Sequence, residues 1–476
     1  MKVLHISAEC YPAAKTGGLG DVVGALPKYL ITSGVPSAVI IPKYGTSWLN
    51  KQVYRQVFYG EMRLHIWNIP FEVLQVENEE LGYPLYTVNI PGKFDRPGIY
   101  SDPSGYFYGD EFERWICFQQ AVLKWVQSMV DKPAILHCHD HHTGLIPFMI
   151  RYCPEYQGLS HIGTSFTIHN GRYQGRYSWD KLYLLPYFHA EARGVLDWGQ
   201  TINCMASAIK CSWQFNTVSH TYLRELMSDS DGLEGLVRSE ANKATGIING
   251  IDATYWDPRT DKHIKHHLKK DISTYKKKNK QDITEELDLR PEWPLATFIG
   301  RMVYEKGVDI LPESIVSFLS QGHQMNFVIL GTGEDHYENK FKEIAYHFGF
   351  AVRALIMYNE YASHQLYAGS DFLLMPSRIE PCGLNQLYSM RYGTIPITRR
   401  TGGLQDTVWD YGEYEGTGVC FNHMEVGDLT HALIRATLLH ADDQKLKQVR
   451  TVCMQKDYSW ENSAYDYINW YKNIGL

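Results

Sequence analysis

SRIEPCGLNQLYSMRYGTIPITRRTGGLQDTV, from Ser377 to Val408, is the stretch on which the reading of this 476-residue chain turns. Within roughly one strand-loop-helix unit it places the Glu380 carboxylate, two proline-bounded turns and the loop Thr401-Gly402-Gly403. Backbone N–H groups at such a glycine-rich loop can approach a diphosphate closely, because no side chain stands in the way. A carboxylate beside them accepts hydrogen bonds from sugar hydroxyls. The layout is that of a sugar-nucleotide site.

Outward from this stretch, short apolar runs alternate with helical patterns. They are Val3–Ser7, Ala38–Ile41, Ala134–Cys138, Gly163–Ile168 and Phe215–Ser219, then Leu295–Gly300, Phe327–Gly331 and Phe372–Met375. Strands alternating with helices predict an α/β chain with doubly wound parallel sheets. The pattern restarts after the turn Asn249-Gly250-Ile251-Asp252, followed by Trp256-Asp257-Pro258, so a boundary is expected there. Two Rossmann-like domains facing across a deep cleft follow, over residues 1–251 and 252–457, with a helical, aromatic tail over 458–476. The run HIKHHLKKDISTYKKKNK, ending at Lys280, reads as a solvated helix and linker.

Length supports two domains, because single cores stop growing at about 250 to 300 residues. The net charge of −7 argues against nucleic acid as a partner, since phosphate binding needs a basic surface. Nine cysteines, an odd number without CxxC spacing, read as free thiols in a reducing cytosol. The absence of a basic-then-apolar leader and of any run of 18 apolar residues leads us to expect a cytoplasmic protein with no membrane partner. Aromatic residues make up 13%, most of them expected in core packing. Oligomeric state is not legible.

Chemistry gathers in five further segments. Lys15-Thr16-Gly17-Gly18-Leu19-Gly20-Asp21 follows the first strand and opens a helix. Its glycines are spaced one residue off the dinucleotide fingerprint, and Lys43 stands where a ribose-binding carboxylate would be expected, so a nicotinamide enzyme is disfavoured. His137-Cys138-His139-Asp140-His141-His142 follows a strand. It suggests a metal, but zinc ligands converge from two places and no second Cys/His cluster has suitable spacing. Thr167-Ile168-His169-Asn170-Gly171 closes the next strand. Arg301 and Lys306, in GRMVYEKG, put two cations on one loop, suited to the charge on a departing diphosphate. Leu330-Gly331-Thr332-Gly333 lies at another strand end and reads equally as a nucleotide-lining loop or a plain turn.

Over nearly its full length the chain resembles starch and bacterial glycogen synthases, the retaining glucosyltransferases of GT-B fold that take glucose from a nucleoside diphosphate sugar. KTGGLGD is similar to their K-x-G-G-L signature, HCHDHH to H-x-H-D-W-H with His141 in place of Trp, TIHN to T-x-H-N, and Arg301 with Lys306 to R-x4-K. The form EPCGLxQ, with Gln386 and Leu387 where many related transferases carry a second glutamate, matches the same branch. The resemblance implies that Lys15, Gly17 and Gly18 meet the donor, that Arg301 and Lys306 absorb leaving-group charge, and that Glu380, Cys382 and Gly383 hold the sugar. It implies further N–H donors for the diphosphate at Thr401, Gly402 and Gly403. It places His169 beside the anomeric carbon, where an oxocarbenium-like state needs electron-rich neighbours. Asp140 then binds glucose hydroxyls or organises the acceptor, with Asn170 and Asp21 on the acceptor side, although the helix dipole explains Asp21 equally well. Tyr358 aligns with a tyrosine that stacks on adenine, but Met357 and Asn359 differ from the family's G-Y-D, which leaves ADP-glucose and UDP-glucose both open as donors. The acceptor implied is an α-1,4-glucan. No metal or other cofactor is implied. The tail helix is implied to cross back to the first domain.

Overall fold

Four to six consecutive apolar residues bury both faces of a strand only where helices cover the sheet on each side. All eight runs singled out above form such strands, with ends within two residues of those expected. The computed structural model describes residues 2–102 and 104–475. Its contacts divide the chain into two compact units, Met1–Asn249 with Trp460–Leu476, and Gly250–Ser459.

The first unit is built on a nine-stranded sheet. Its strands are β1 (Val3–Ile6), β2 (Ser37–Pro42), β3 (Tyr54–Leu64), β4 (Trp67–Val76), β5 (Leu85–Asn89), β6 (Ile135–His139) and β7 (Gly163–Ile168), with β11 (Gln214–Thr217) and β12 (Ala244–Gly246). The short strands β8 (Arg176–Tyr177), β9 (Asp197–Trp198) and β10 (Thr201–Asn203) form a separate sheet. The order in the large sheet is β12-β11-β7-β6-β1-β2-β5-β4-β3. The expectation of a purely parallel sheet fails at one edge, where β3 and β4 form an antiparallel hairpin and β4 runs antiparallel to β5. The reason is local: β3 has mostly exposed or half-exposed residues, so it has one wet face and needs no helical cover.

The helix Trp460–Lys472 lies on the helix Gly18–Thr32, and Trp460, Tyr467, Trp470 and Tyr471 share a core with Val3, Val22, Leu26, Leu30 and Ile135. Tyr471 also hydrogen-bonds His137 Nδ1 at 2.7 Å, so this terminal segment is part of the first unit's interior.

The second unit has six parallel strands, β13 (Leu295–Ile299), β14 (Asn326–Gly331), β15 (Val352–Ile356), β16 (Phe372–Met375), β17 (Ile395–Arg399) and β18 (Val419–Phe421), in the order β15-β14-β13-β16-β17-β18. The second half of the lysine-rich run lies in the helix Ile272–Glu286, but the solvated reading is wrong for two of its lysines. Lys276 and Lys280 are buried. Lys276 Nζ donates to Thr394 Oγ1 at 2.6 Å and to the carbonyl of Tyr367 at 3.1 Å, and Lys280 pairs with Asp371 at 2.7 Å. Interior acceptors, invisible in a charge run, draw these ammonium groups in. All nine cysteines are free and buried. Among the described residues no helix is long and apolar enough to cross a membrane.

Candidate active site

In an open α/β sheet, ligands bind outside the carboxyl ends of strands where the strand order reverses. In the first unit that reversal lies between β1, whose sequence successor β2 sits on one side, and β6 on the other. The loops leaving β1 and β6 carry Lys15-Thr16-Gly17-Gly18 and Asp140.

Glu9 organises the first of these loops, and the sequence reading passed over it. Its Oε2 accepts the N–H groups of Thr16 at 2.6 Å and Gly17 at 3.0 Å, and its Oε1 accepts Tyr100 OH at 2.6 Å. Burial raises its pKa, opposed by these three bonds. Gly17 precedes the helix in an extended conformation, and a Cβ at Gly17 or Gly18 would meet open space. Gly24 is different: a Cβ there would stand 2.5 Å from the carbonyl of Tyr11, so it is a packing glycine. Lys15 Nζ contacts Asp21 Oδ1 at 2.7 Å, both partly exposed.

Asp140 leaves β6 with φ of 56°, a strained value for a non-glycine residue. Its Oδ1 accepts the N–H of His169 at 2.8 Å, which ties β6 to β7 at their carboxyl ends. Asn170 Oδ1 caps the turn behind it by accepting the N–H of Arg172 at 3.0 Å. Burial pushes the Asp140 carboxyl from its ordinary 3.8 up to about 7, against the opposing backbone bonds from His169 and Asn170. Between those values the folded chain holds a proton that the unfolded chain has released, so this group's contribution to stability falls as pH rises. Asp140→Asn keeps an acceptor oxygen and abolishes the titration. Relative to that variant, the wild type should lose up to about 1.4 kcal/mol per unit between about pH 5 and 7 in urea denaturation series. A difference that stays flat over this range would show that the carboxyl titrates elsewhere.

His169 ends a buried row of imidazoles. His5 Nδ1 lies 3.1 Å from His139 Nε2, and His139 Nδ1 lies 3.0 Å from His169 Nε2. Burial pushes His5 and His169 down to about 3 and His139 well below its ordinary value, the last also through neighbouring histidines. The rings are therefore neutral at physiological pH. Each carries one N–H, so the two bonds run in one direction along the row.

In the second unit the order reverses between β13 and β16. Lys306 comes from the loop after β13 and Glu380 from the loop after β16. Lys306 Nζ donates to both oxygens of Glu380, at 2.8 and 2.7 Å, and Ser377 Oγ donates to Oε2 at 2.9 Å. Glu380 is buried while Lys306 is a quarter exposed. Gly307 has φ of 71°, and a Cβ there would stand 1.9 Å from the carbonyl of Pro376, so only glycine lets the two loops meet. Arg301 is exposed, with Glu305 at 3.9 Å.

The loops after β16 and β17 are joined by backbone. The N–H of Gly403 donates to the carbonyls of Glu380 at 3.0 Å and Pro381 at 3.2 Å. The expectation that Gly403 offers its N–H to a diphosphate is thus corrected: that donor is spent inside the fold. A Cβ at Gly403 would lie 2.1 Å from the Cys382 carbonyl, which explains the glycine without a ligand. Gln386 Nε2 holds the carbonyls of Cys382 and Gly383, both at 3.0 Å, and Thr407 Oγ1 at 3.1 Å. The sequence marked Gln386 as a departure but not as this clamp. Gly331 and Gly333 pack against Gly300 and Met302, which supports the plain-turn reading. Tyr358 is 78% exposed after the edge strand β15. Thr401 and Gly402 begin the short helix Gly402–Thr407.

Residues 2–239 match the family model described as the starch synthase catalytic domain, and residues 279–449 the one described as glycosyl transferases group 1. The chain is 44% identical to the glycogen synthase of Flavobacterium johnsoniae over 476 residues, covering 100% of this chain and 99% of that one. The chain belongs to the glycogen synthase family. The glycogen synthase of Clostridioides difficile is 37% identical over 487 residues, covering 100% of each. Among solved structures, the catalytic domain of starch synthase IV from Arabidopsis thaliana, bound to ADP and acarbose, superposes with a TM-score of 0.88 at 31% identity, covering 99% of both chains. A sucrose-phosphate synthase from Thermosynechococcus elongatus shares the fold at 15% identity and a TM-score of 0.64, covering 99% and 98%. The two-domain α/β architecture is therefore the GT-B-like fold of glycosyltransferases. In this glycogen synthase family member the ion pair of Lys306 and Glu380 stands at the reversal point of the second sheet, and Asp140, which accepts the N–H of His169, leaves β6 beside that of the first.

Proposed function

We propose that the chain transfers glucose from ADP-glucose to the non-reducing end of an α-1,4-glucan with retention of configuration. The observation that carries the reading is the Lys306 ammonium bound to both oxygens of the buried Glu380 at the reversal point of the second sheet. A binding module has no use for such a cation, whereas a departing diphosphate does. ADP as the nucleotide is supported by the Arabidopsis relative, whose structure holds it.

In this reading Glu380 and the backbone around Cys382 and Gly383 hold the sugar, and Arg301, Lys306 and Lys15 neutralise the diphosphate. The bond from the anomeric carbon to the phosphate oxygen breaks with its electron pair going to the phosphate. The acceptor O4 attacks from the same face, and its proton passes to the departing phosphate oxygen. The neutral His169 stands beside the anomeric carbon, with Asp140 fixing its backbone. Lys15, Arg301 and Lys306 carry the charge, so no metal is required for transfer. Free buried cysteines throughout fit a cytoplasmic setting.

Transfer of labelled glucose from ADP-glucose and UDP-glucose, in parallel, onto glycogen with EDTA present tests the whole reading. Incorporation from ADP-glucose is the expected result. The exposed Tyr358, flanked by Met357 and Asn359, keeps UDP-glucose as the second reading, and incorporation from it alone would move the assignment there. Activity abolished by EDTA would sink the metal-free step, and none from either donor would leave a glucan-binding scaffold.

A further inference from the structure

Two groups in the first unit bring three metal-type ligands together, and they differ in what their nitrogens already do. In the first, His139 is bonded to His5 and His169, and His137 to Tyr471 and Thr167 at 2.7 and 2.6 Å. Those nitrogens are committed to the fold. In the second group, one nitrogen from each of His141 and His142 and one oxygen of Glu111 lie within 4.8 Å of one another. Both rings are more than nine-tenths buried. Among the described residues neither makes a hydrogen bond, and Nδ1 of each is buried without a partner. The nearest charge, Glu111 Oε1, is 3.9 Å from His141 Nε2, beyond hydrogen-bonding reach. Neither ring is committed to the fold through a hydrogen bond, so one nitrogen of each is available to an ion, and a buried imidazole nitrogen left in this way calls for an explanation.

The surroundings hold the rings in place. Tyr100 stacks on His142 with centroids 5.0 Å apart, and Trp115 meets it edge-on at 4.6 Å. Gly175, at φ of 64°, presses on His141 so closely that a Cβ would stand 2.6 Å from its Cδ2. Glu111 begins the helix Glu111–Ser128 and is only part-buried, leaving a solvent route. The ligands thus converge from two elements, the requirement that the sequence alone did not meet. The second arm is a carboxylate, which a search for paired Cys/His spacing does not look for.

We infer that Glu111, His141 and His142 form a binding site for a divalent cation of the zinc class, with a fourth position open to water. Two imidazoles and one carboxylate suit zinc, whereas magnesium and calcium prefer all-oxygen shells. An ion there ties the start of the helix Glu111–Ser128 to the loop that carries Asp140. None of its ligands is among the groups assigned to the leaving diphosphate. EDTA-resistant transfer and metal binding here are therefore compatible, and the two proposals fail separately.

The full chain, stripped with EDTA and dialysed, is titrated with zinc chloride by calorimetry and with cobalt chloride by visible absorption. The expected result is one equivalent bound with cobalt d–d bands of a nitrogen and oxygen site. Glu111→Gln and His141→Asn, each checked for an unaltered circular dichroism spectrum, should weaken binding about 100-fold or more, since even outer-shell changes cost about 10- to 100-fold, and should remove the bands. Glu111→Gln, at a partly exposed helix start, keeps the test sound if His141→Asn fails to fold. Absence of stoichiometric binding in the wild type would overturn the site, as would binding that persists unchanged in Glu111→Gln, which would leave only adventitious histidines elsewhere.

Discussion

Lys306→Ala is expected to lower kcat by about 10² to 10³ with the donor still able to bind, because a single preorganised group facing developing charge is typically worth that much. The geometry sharpens this beyond the loss of one cation. Lys306 grips both oxygens of Glu380, and without it the buried carboxylate keeps, among the described residues, the Ser377 hydroxyl. Glu380 would then be free to turn, and in the proposed reading its hold on the sugar would change as well. The two residues should therefore act as a unit: Lys306→Ala combined with Glu380→Gln should lose little more than the worse single variant, as contacting residues do not add. Steady-state kinetics on the three variants, with circular dichroism to confirm folding, decide it. A Lys306→Ala enzyme within threefold of wild-type kcat, or fully additive losses, would remove the pair from the reaction.

The second large effect is on stability. Asp371, at the start of β16, is buried and receives Lys280 at 2.7 Å, Arg450 at 2.5 Å, His440 at 3.5 Å and the N–H of Leu295 at 2.9 Å. Burial alone would raise this carboxyl, but Lys280, His440 and Arg450 prevail and hold it well below its ordinary value. Asp371→Asn leaves Lys280 and Arg450 as buried cations without their counter-charge, a change that costs about 3 to 5 kcal/mol. That is a large part of the roughly 5 to 15 kcal/mol that holds a domain folded. A chain of two units need not unfold in one step, so urea transitions are followed by tryptophan fluorescence and circular dichroism together. The transition of the second unit should move to lower urea while that of the first stays. Lys340→Ala, which breaks the exposed pair with Glu313, serves as the control and should change stability by less than about 1 kcal/mol. Because the folded-state pKa of Asp371 is depressed, its stabilisation is present above about pH 4 and is lost as pH falls. An Asp371→Asn protein as stable as wild type at neutral pH would show that the cluster contributes nothing net.

Some of this was legible before any coordinates. Apolar runs such as Gly163–Ile168 and Phe372–Met375 form strands with the bounds expected, because a strand buried on both faces leaves an unbroken hydrophobic signal. The hairpin of β3 and β4 left no such signal, since residues along YRQVFYGEMRL are largely exposed. Glu9 was missed because a single glutamate after a strand carries no mark of the Thr16, Gly17 and Tyr100 groups that it will bind. Gly403 was misread for a related reason. Its motif is that of a phosphate loop, yet a Cβ there would meet the carbonyl of Cys382, a neighbour that only the folded chain supplies.

The sequence by itself determined the alternation of strands and helices, the loops on which the charged and glycine-rich motifs stand, and the family to which they belong. These follow from side-chain periodicity and turn chemistry, which act over a few residues. The tertiary structure alone decided which groups meet. The parallel register of β1, β6 and β7 brings His5, His139 and His169 into one row. The crossing of loops after β13 and β16 sets Lys306 on Glu380, and interior acceptors draw Lys276 and Lys280 out of a run that reads as solvated. Such partners lie tens to hundreds of residues apart, and a buried charge or imidazole is fixed by what surrounds it in space, for which its neighbours along the chain hold no code.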